Sequence, residues 1–190
     1  MQKARIRTGW KNKNKVISIE DFANALSAIC WRIALNAAKN LHEQDFVYEN
    51  DQQRVGVIRQ YLYFFVHCAD RLMFEQLDDA ERVRFVTTLS GDCHRHYRQN
   101  SIETIGFSIG DRVYINDLNA ISGALAAFRF VNNIPSYEMY RLLGARIQDI
   151  MGQSQINKWV MDQIMDVDGP NAYDLFYQSF RKLKRSAGFS

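Results

Sequence analysis

The chain has 190 residues, a formal net charge of +3, 47% hydrophobic residues, 24% charged residues and only two prolines. A chain of this length and composition can bury a substantial core, which excludes intrinsic disorder over most of its length. It contains no uninterrupted apolar run of about 18 residues and no signal-peptide core after its basic start, so we expect a cytoplasmic protein without a membrane span.

The positive charge is concentrated at the N-terminus. Residues 1–17 form a basic arm without helical periodicity, and residues 18–190 form a single helical domain whose own charge balance is acidic. Such an arm could bind an anionic partner, either nucleic acid or an acidic surface, because basic side chains release counterions from phosphates and the ring of Trp10 can stack or insert. A solvated tail that packs Trp10 back on the body is the favoured interpretation, since six charges on a floppy arm are common. The candidate anion-binding residues are Lys3, Arg5, Arg7, Lys11, Lys13 and Lys15.

The three cysteines, Cys30, Cys68 and Cys93, form neither a paired motif nor a zinc-ligand spacing. Each falls within the apolar arc of a predicted helix, which favours buried, reduced thiols and a reducing compartment. The chain also lacks the glycine-rich and histidine motifs of common nucleotide-binding proteins, hydrolases and zinc proteases. These absences lower the chance of the familiar chemistries, and we predict no cofactor and no metal.

The first predicted helix begins at Ser18, whose side chain can cap it, and extends to about Gln44. One apolar stripe of this helix faces the core. A second, narrower apolar patch consists of Ala28, Trp31, Leu35 and Ala38. Either a later helix of the same chain or a second subunit must cover this patch, because exposed apolar patches mark contacts.

The stretch from Asp51 to Glu75 is the segment around which we expect the fold to form. At about 100° per residue, its apolar side chains cover roughly 200° of a helical wheel, which is far more than an ordinary surface helix shows. A helix with so wide an apolar face needs neighbours on at least two sides. The sequence therefore predicts an all-α, single-domain bundle of about six to seven helices around a central apolar helix, which Asp51 caps.

The polar stripe of this central helix, with histidines of the next helix, is a candidate site. It lies between helices 51–75 and 79–99 and consists of His67, Asp70, Arg71, His94 and His96. His67 and Asp70 lie one turn apart, a spacing that can fix an imidazole tautomer or supply two ligands. His94 and His96 point roughly 200° apart on a helix, so only one of them could face a given ion. The alternative is a hydrogen-bonded polar seam without chemistry.

The remaining segments complete the predicted bundle. The third helix begins at Asp78 or Asp79, and the alternation at 105–115 around Gly110-Asp111 predicts a small β-hairpin. Further helices are predicted at 117–133, 136–151 and 154–166, and a last one begins near Pro170 and ends in bases that complement its negative end. Phe130 is left outside the apolar face of its helix and is another candidate contact.

Three functions remain, each from a different class. The first is a helical protein-protein interaction module, self-associating as a homodimer or binding another protein through Trp31, Leu35 and Phe130. The second is an enzyme or metal-binding protein that uses the polar site between helices 51–75 and 79–99. The third is a binder of nucleic acid or of an acidic surface through the basic termini. The excess of apolar surface on the predicted helices favours the first.

Overall fold

The computed structural model describes residues 17–154 and 156–189, and it confirms an all-α bundle with a small two-stranded antiparallel hairpin. The helices of these residues are α1 (Ile19–Glu43), α2 (Asp51–Met73), α3 (Asp79–Ile105), α4 (Asp111–Ala126), α5 (Tyr137–Met151), α6 (Val160–Gln163) and α7 (Gly169–Ala187). The hairpin consists of β1 (Phe130–Val131) and β2 (Ile134–Pro135), and a π-helical turn, Ile164–Asp168, joins α6 to α7. No helix within the described ranges is long and apolar enough to cross a membrane.

Helix α2 is the centre of the bundle, as the width of its apolar face predicts. It packs against α1, α3, α4 and α5. From Val55 to Met73, every residue is buried except Arg59, Asp70 and Arg71, which are partly exposed. Over this length α2 therefore reaches solvent mainly through these three side chains.

Side-chain caps fix where the first three helices begin. The Ser18 side chain accepts the backbone N–H of Asp21 in the first turn of α1, as predicted. The Asp78 side chain likewise accepts the N–H of Glu81 in the first turn of α3. The predicted cap of α2, Asp51, is wrong. The preceding Asn50 has extended backbone, and its Oδ1 accepts the N–H of Gln53 at 3.0 Å. Asp51 is instead the first residue of the helix.

The position of the predicted hairpin at 105–115 is wrong. Helix α3 continues past Gln99 to Ile105 and ends at Gly106, whose φ of 80° lies in the left-handed region that glycine favours. Helix α4 then begins at Asp111, earlier than predicted. Its buried side chains recur every three to four residues, which is the helical period that decides the conformation here: Tyr114, Leu118, Ile121 and Leu125.

The observed hairpin follows α4. Asn132 and Asn133 have positive φ angles of 54° and 61°, the backbone that a two-residue type I′ turn requires. Val131 pairs with Ile134 on either side of this turn. Asparagine tolerates positive φ better than most residues, so the Asn-Asn pair is the sequence feature that indicates the turn.

Helix α5 agrees with the predicted helix at 136–151, whereas much of the predicted helix at 154–166 is an irregular connection before the short α6. A buried polar side chain holds this connection. The amide of Asn157, which is 1% exposed, donates to the carbonyls of Val47 at 2.8 Å and Met151 at 3.1 Å. Asn157 therefore ties the connection to the loop between α1 and α2.

All three cysteines are buried and free. Cys30 lies in α1, Cys68 in α2 and Cys93 in α3. Burial raises the pKa of the Cys30 and Cys68 thiols well above their usual range. Both side chains therefore stay protonated and pack as small apolar groups.

Candidate anion-binding site

Four helix ends meet at one end of the bundle: the starts of α1 and α3 and the ends of α2 and α7. The ring of Phe22, in the first turn of α1, lies 5.7 Å from that of Phe180 and 5.2 Å from that of Phe189, between ring centroids. Glu20 of α1 pairs with Arg84 of α3 at 3.5 Å, and a short turn joins α2 to α3. The chain that carries the basic N-terminal arm therefore enters the body at this end.

Two adjoining cavities lie at this end, and we call them together the basic groove. The first has a volume of about 300 Å³ and is lined by bases and aromatic rings of the C-terminal part of the chain: Tyr177, Phe180, Arg181, Lys184, Arg185 and Phe189. The second has a volume of about 550 Å³ and is lined by residues of α2, α3 and the hairpin, including Arg71, Phe74, Glu75, Arg82, Phe130 and Asn132. Leu72, Gln76 and Asn133 line both cavities, so the two adjoin each other.

The basic groove carries a surplus of positive charge. None of the described residues that line the first cavity is acidic, and Glu75 is the acid that lines the second. Lys184 and Arg185 lie in the last turn of α7, where they complement the negative end of the helix dipole. That end is equivalent to only about half a unit charge, so most of their charge remains available to an external anion.

A bidentate ion pair fixes Arg82 at the second cavity. Its Nε and Nη2 atoms each lie 2.6 Å from a carboxylate oxygen of Asp70, and this hydrogen bonding raises the pKa of Arg82. The guanidinium lies over the ring of Phe74, 4.7 Å from its centroid. Because Asp70 neutralises Arg82, the pair orients Phe74 rather than attracting an anion.

Two further arginines lie over aromatic rings of the basic groove. Arg71 is 5.7 Å from the ring centroid of Phe130, and Arg181 is 5.7 Å from that of Tyr177. These contacts orient the guanidinium groups without neutralising them. The hairpin that carries Phe130 is held in turn by Tyr173, whose hydroxyl donates to a carbonyl of the turn.

The structure divides the predicted polar site. Arg71 lines the basic groove and Asp70 holds Arg82 there, whereas His67, one turn earlier on α2, is 4% exposed. The pKa of His67 is lowered to about 4, mainly by burial; Asp70 opposes this shift, and Arg71 and Arg82 add to it. The Nε2 atom of His67 has no hydrogen-bond partner among the described residues. His67 is therefore a neutral, buried imidazole near neutral pH.

His94 and His96 contact different helices. The His94 ring stacks on Tyr114 of α4, with centroids 4.2 Å apart, and the His96 ring stacks on Trp31 of α1 at 6.1 Å. Desolvation by burial lowers the pKa of both imidazoles. Within residues 17–154 and 156–189, no three histidine, cysteine, aspartate or glutamate side chains converge in a way that could hold a metal ion.

The three predicted interface residues differ in exposure. Trp31 and Phe130 are partly buried. Trp31 contacts His96 of α3, and Phe130 contacts Arg71 of α2 and Tyr173 of α7. Leu35 is 39% exposed and lines a separate cavity of about 590 Å³ beside the start of α2. Leu35 therefore presents the most accessible apolar side chain of the three.

The predicted anion-binding residues of the arm, Lys3, Arg5, Arg7, Lys11, Lys13 and Lys15, lie outside the described residues. Sequence reasoning did not predict the basic groove, because its side chains come from α2, α3, the hairpin and α7. One signal was present. The bases between Arg181 and Arg185 are followed by no acid, an asymmetry that indicates a basic surface as well as a helix end.

No protein-family model, no curated protein and no solved structure matches this chain.

Proposed function

We propose that the protein binds a polyanionic partner in the basic groove, and that this partner is nucleic acid. The observation that carries the proposal is the position of Arg71, Arg181, Lys184 and Arg185 in two adjoining cavities at the end where the basic arm enters. A concave surface with several bases and few acids focuses a positive potential, which attracts phosphate groups and speeds their association.

The charge distribution of the whole chain supports the same partner. Residues 1–15 carry a formal charge of +6. The net charge of the whole chain is +3, so the remaining residues sum to −3. A body that is acidic overall repels a polyanion except where its bases cluster. The basic groove and the arm are therefore the surfaces by which a polyanion can approach this chain.

Replacing Arg181, Lys184 and Arg185 together by glutamine should weaken binding of a labelled single-stranded oligonucleotide by about tenfold or more at moderate salt. Each lost phosphate contact should reduce the slope of log affinity against log salt concentration by about one, so the triple variant should lose up to about three. Fluorescence anisotropy titrations at several salt concentrations measure both quantities.

The matched control replaces Lys39, Arg54 and Lys158 by glutamine, which removes the same charge from the opposite end of the bundle. Lys39 lies near the end of α1 and Arg54 near the start of α2. Lys158 follows Asn157, which is bound to the loop between those helices. This variant should bind the oligonucleotide as the wild type does. Equal losses in both variants would mean that total charge attracts the oligonucleotide, and affinity that does not depend on salt would contradict the proposal.

Self-association is the second candidate function, and the exposure of Leu35 is the observation that favours it. This exposed side chain lines a cavity that a second copy of the chain could cover. Exposed apolar surface of this kind marks contacts, and in a symmetric dimer the same patch of both subunits is buried. Sedimentation velocity at micromolar concentration tests this function. A dimer that Leu35→Glu dissociates would support it, and a strictly monomeric wild type would exclude it.

A further inference from the structure

We infer, on the basis of the function proposed above, that the nucleic acid bound in the basic groove is single-stranded and that Phe74 is a stacking platform for one of its bases. The positive charge of the groove explains its attraction to phosphates, but it gives no role to an aromatic ring that is exposed among the basic side chains. Aromatic side chains beside a basic groove are the usual means of binding unpaired nucleotides.

Phe74 is an exposed ring in a fixed orientation. It follows the last residue of α2 and is 57% exposed, so it adds little to the core that Leu72 and Met73 fill. The guanidinium of Arg82 lies 4.7 Å from the ring centroid, and two contacts of 2.6 Å to Asp70 hold that guanidinium in place. A ring that is oriented before binding loses less conformational entropy when a base stacks on it.

The ring of Phe74 and the basic side chains of the groove are adjacent. Phe74 and Arg71 line the second cavity, which adjoins the cavity of Arg181 and Lys184. The volume of the second cavity, about 550 Å³, falls within the range of roughly 300–1,000 Å³ that small-molecule sites occupy. A nucleobase therefore fits beside Phe74, and the phosphate of the same nucleotide then lies next to the basic side chains of α7.

Unpaired nucleotides fit this arrangement better than a duplex or a membrane does. The faces of bases are free to stack on a side chain only when the bases are unpaired. A duplex presents phosphates at its outer surface, which the groove can contact but cannot enclose. An anionic membrane is flat at this scale and offers no ring on which Phe74 could stack.

The experiment compares the wild type with Phe74→Leu, which removes the aromatic ring and keeps an apolar side chain. The probes are labelled single-stranded DNA, single-stranded RNA, a duplex of the same sequence, heparin, and vesicles that contain phosphatidylserine. We expect the wild type to bind both single strands more tightly than the duplex. Phe74→Leu should weaken single-strand binding by about tenfold and leave heparin binding unchanged, whereas Phe74→Trp should bind at least as tightly as the wild type.

Trp159→Leu is the matched control for the loss of an exposed ring. Trp159 is 60% exposed, and its ring also has a cation over it, Lys158 at 5.4 Å. It lies two residues after Asn157, which is bound to the loop between α1 and α2 at the opposite end of the bundle. This substitution should leave the binding of every probe unchanged, and both leucine variants should melt at the temperature of the wild type.

The outcomes separate this inference from the proposed function. Equal binding of duplex and single strands, with no effect of Phe74→Leu, would overturn the stacking role, while a loss in the triple variant of α7 would leave the proposed function standing. Tighter binding to vesicles than to either single strand would overturn the inference in favour of a membrane partner. Absence of salt-dependent binding to any of the polyanions would overturn the proposed function as well.

Discussion

Replacing Phe65 by alanine is expected to lower the free energy of unfolding by about 3–5 kcal/mol. The side chain is fully buried, and its ring stacks on Phe176 of α7 with centroids 5.1 Å apart. Alanine would remove most of this apolar surface from the core and leave a cavity beside the rings of Tyr61 and Phe64, which contact that of Phe65. Urea denaturation followed by circular dichroism measures the loss.

Two further substitutions make this result interpretable. Phe65→Leu keeps most of the buried volume and should cost about 1.5 kcal/mol or less, so the core remains measurable even if the alanine variant is largely unfolded. Phe74→Ala removes an exposed ring at the end of the same helix and should cost no more than about 1 kcal/mol. Similar small losses for Phe65→Ala and Phe74→Ala would contradict the enclosure of α2 by its neighbours.

Acidification is expected to destabilise the protein by about 3 kcal/mol through His67. Burial lowers the pKa of this imidazole from 6.5 to about 4, so the unfolded chain takes up a proton at a higher pH than the folded protein does. The stability is therefore fully present above about pH 6.5 and falls as the pH decreases toward about 4, where the folded protein is protonated as well. Each unit of pKa difference corresponds to about 1.4 kcal/mol of stability.

His67→Gln should remove this part of the acid-induced loss, which is measured as the difference between the free energies of unfolding at about pH 7 and about pH 4. Burial also lowers the pKa of His94 and of His96, and both remain in the variant, so the comparison with the wild type isolates His67. His42→Gln changes an exposed residue of α1 and serves as the control substitution. An identical acid-induced loss in the wild type and in His67→Gln would mean that the imidazole is not desolvated in the folded protein.

Helix boundaries could be predicted where local side-chain chemistry fixes them. Ser18 and Asp78 cap the helices at which the sequence places them, because a cap acts over a single turn. The central position of α2 could also be predicted, because an apolar arc so wide has to be covered from more than one side. Both features are contained in one stretch of chain.

The conformation of residues 105–115 could not be predicted from alternation alone. Tyr114 fits an alternating pattern, but it also begins a helical stripe that continues with Leu118 and Leu125. Burial of this stripe against α2 selects the helix, and that contact lies outside the segment. The hairpin forms instead around Asn132 and Asn133, where the turn chemistry is the stronger local signal.

The basic groove depends on contacts between distant parts of the chain. Spacing on one helix places His67 beside Asp70, yet the partner of Asp70 is Arg82 of α3. Likewise, the sequence shows that α7 ends in bases, but it does not show that this end lies next to the end of α2 and its Arg71. Only the folded arrangement brings these side chains to one surface, which is why the predicted site and the observed groove share only part of their residues.

The burial of the cysteines has a practical consequence. All three native cysteines are enclosed in the core, and the sequence contains no others. A cysteine introduced at Val131, which is exposed beside the turn of the hairpin, would therefore be the one reactive thiol of the folded chain. A fluorophore attached there would report from the rim of the groove without the removal of any native cysteine.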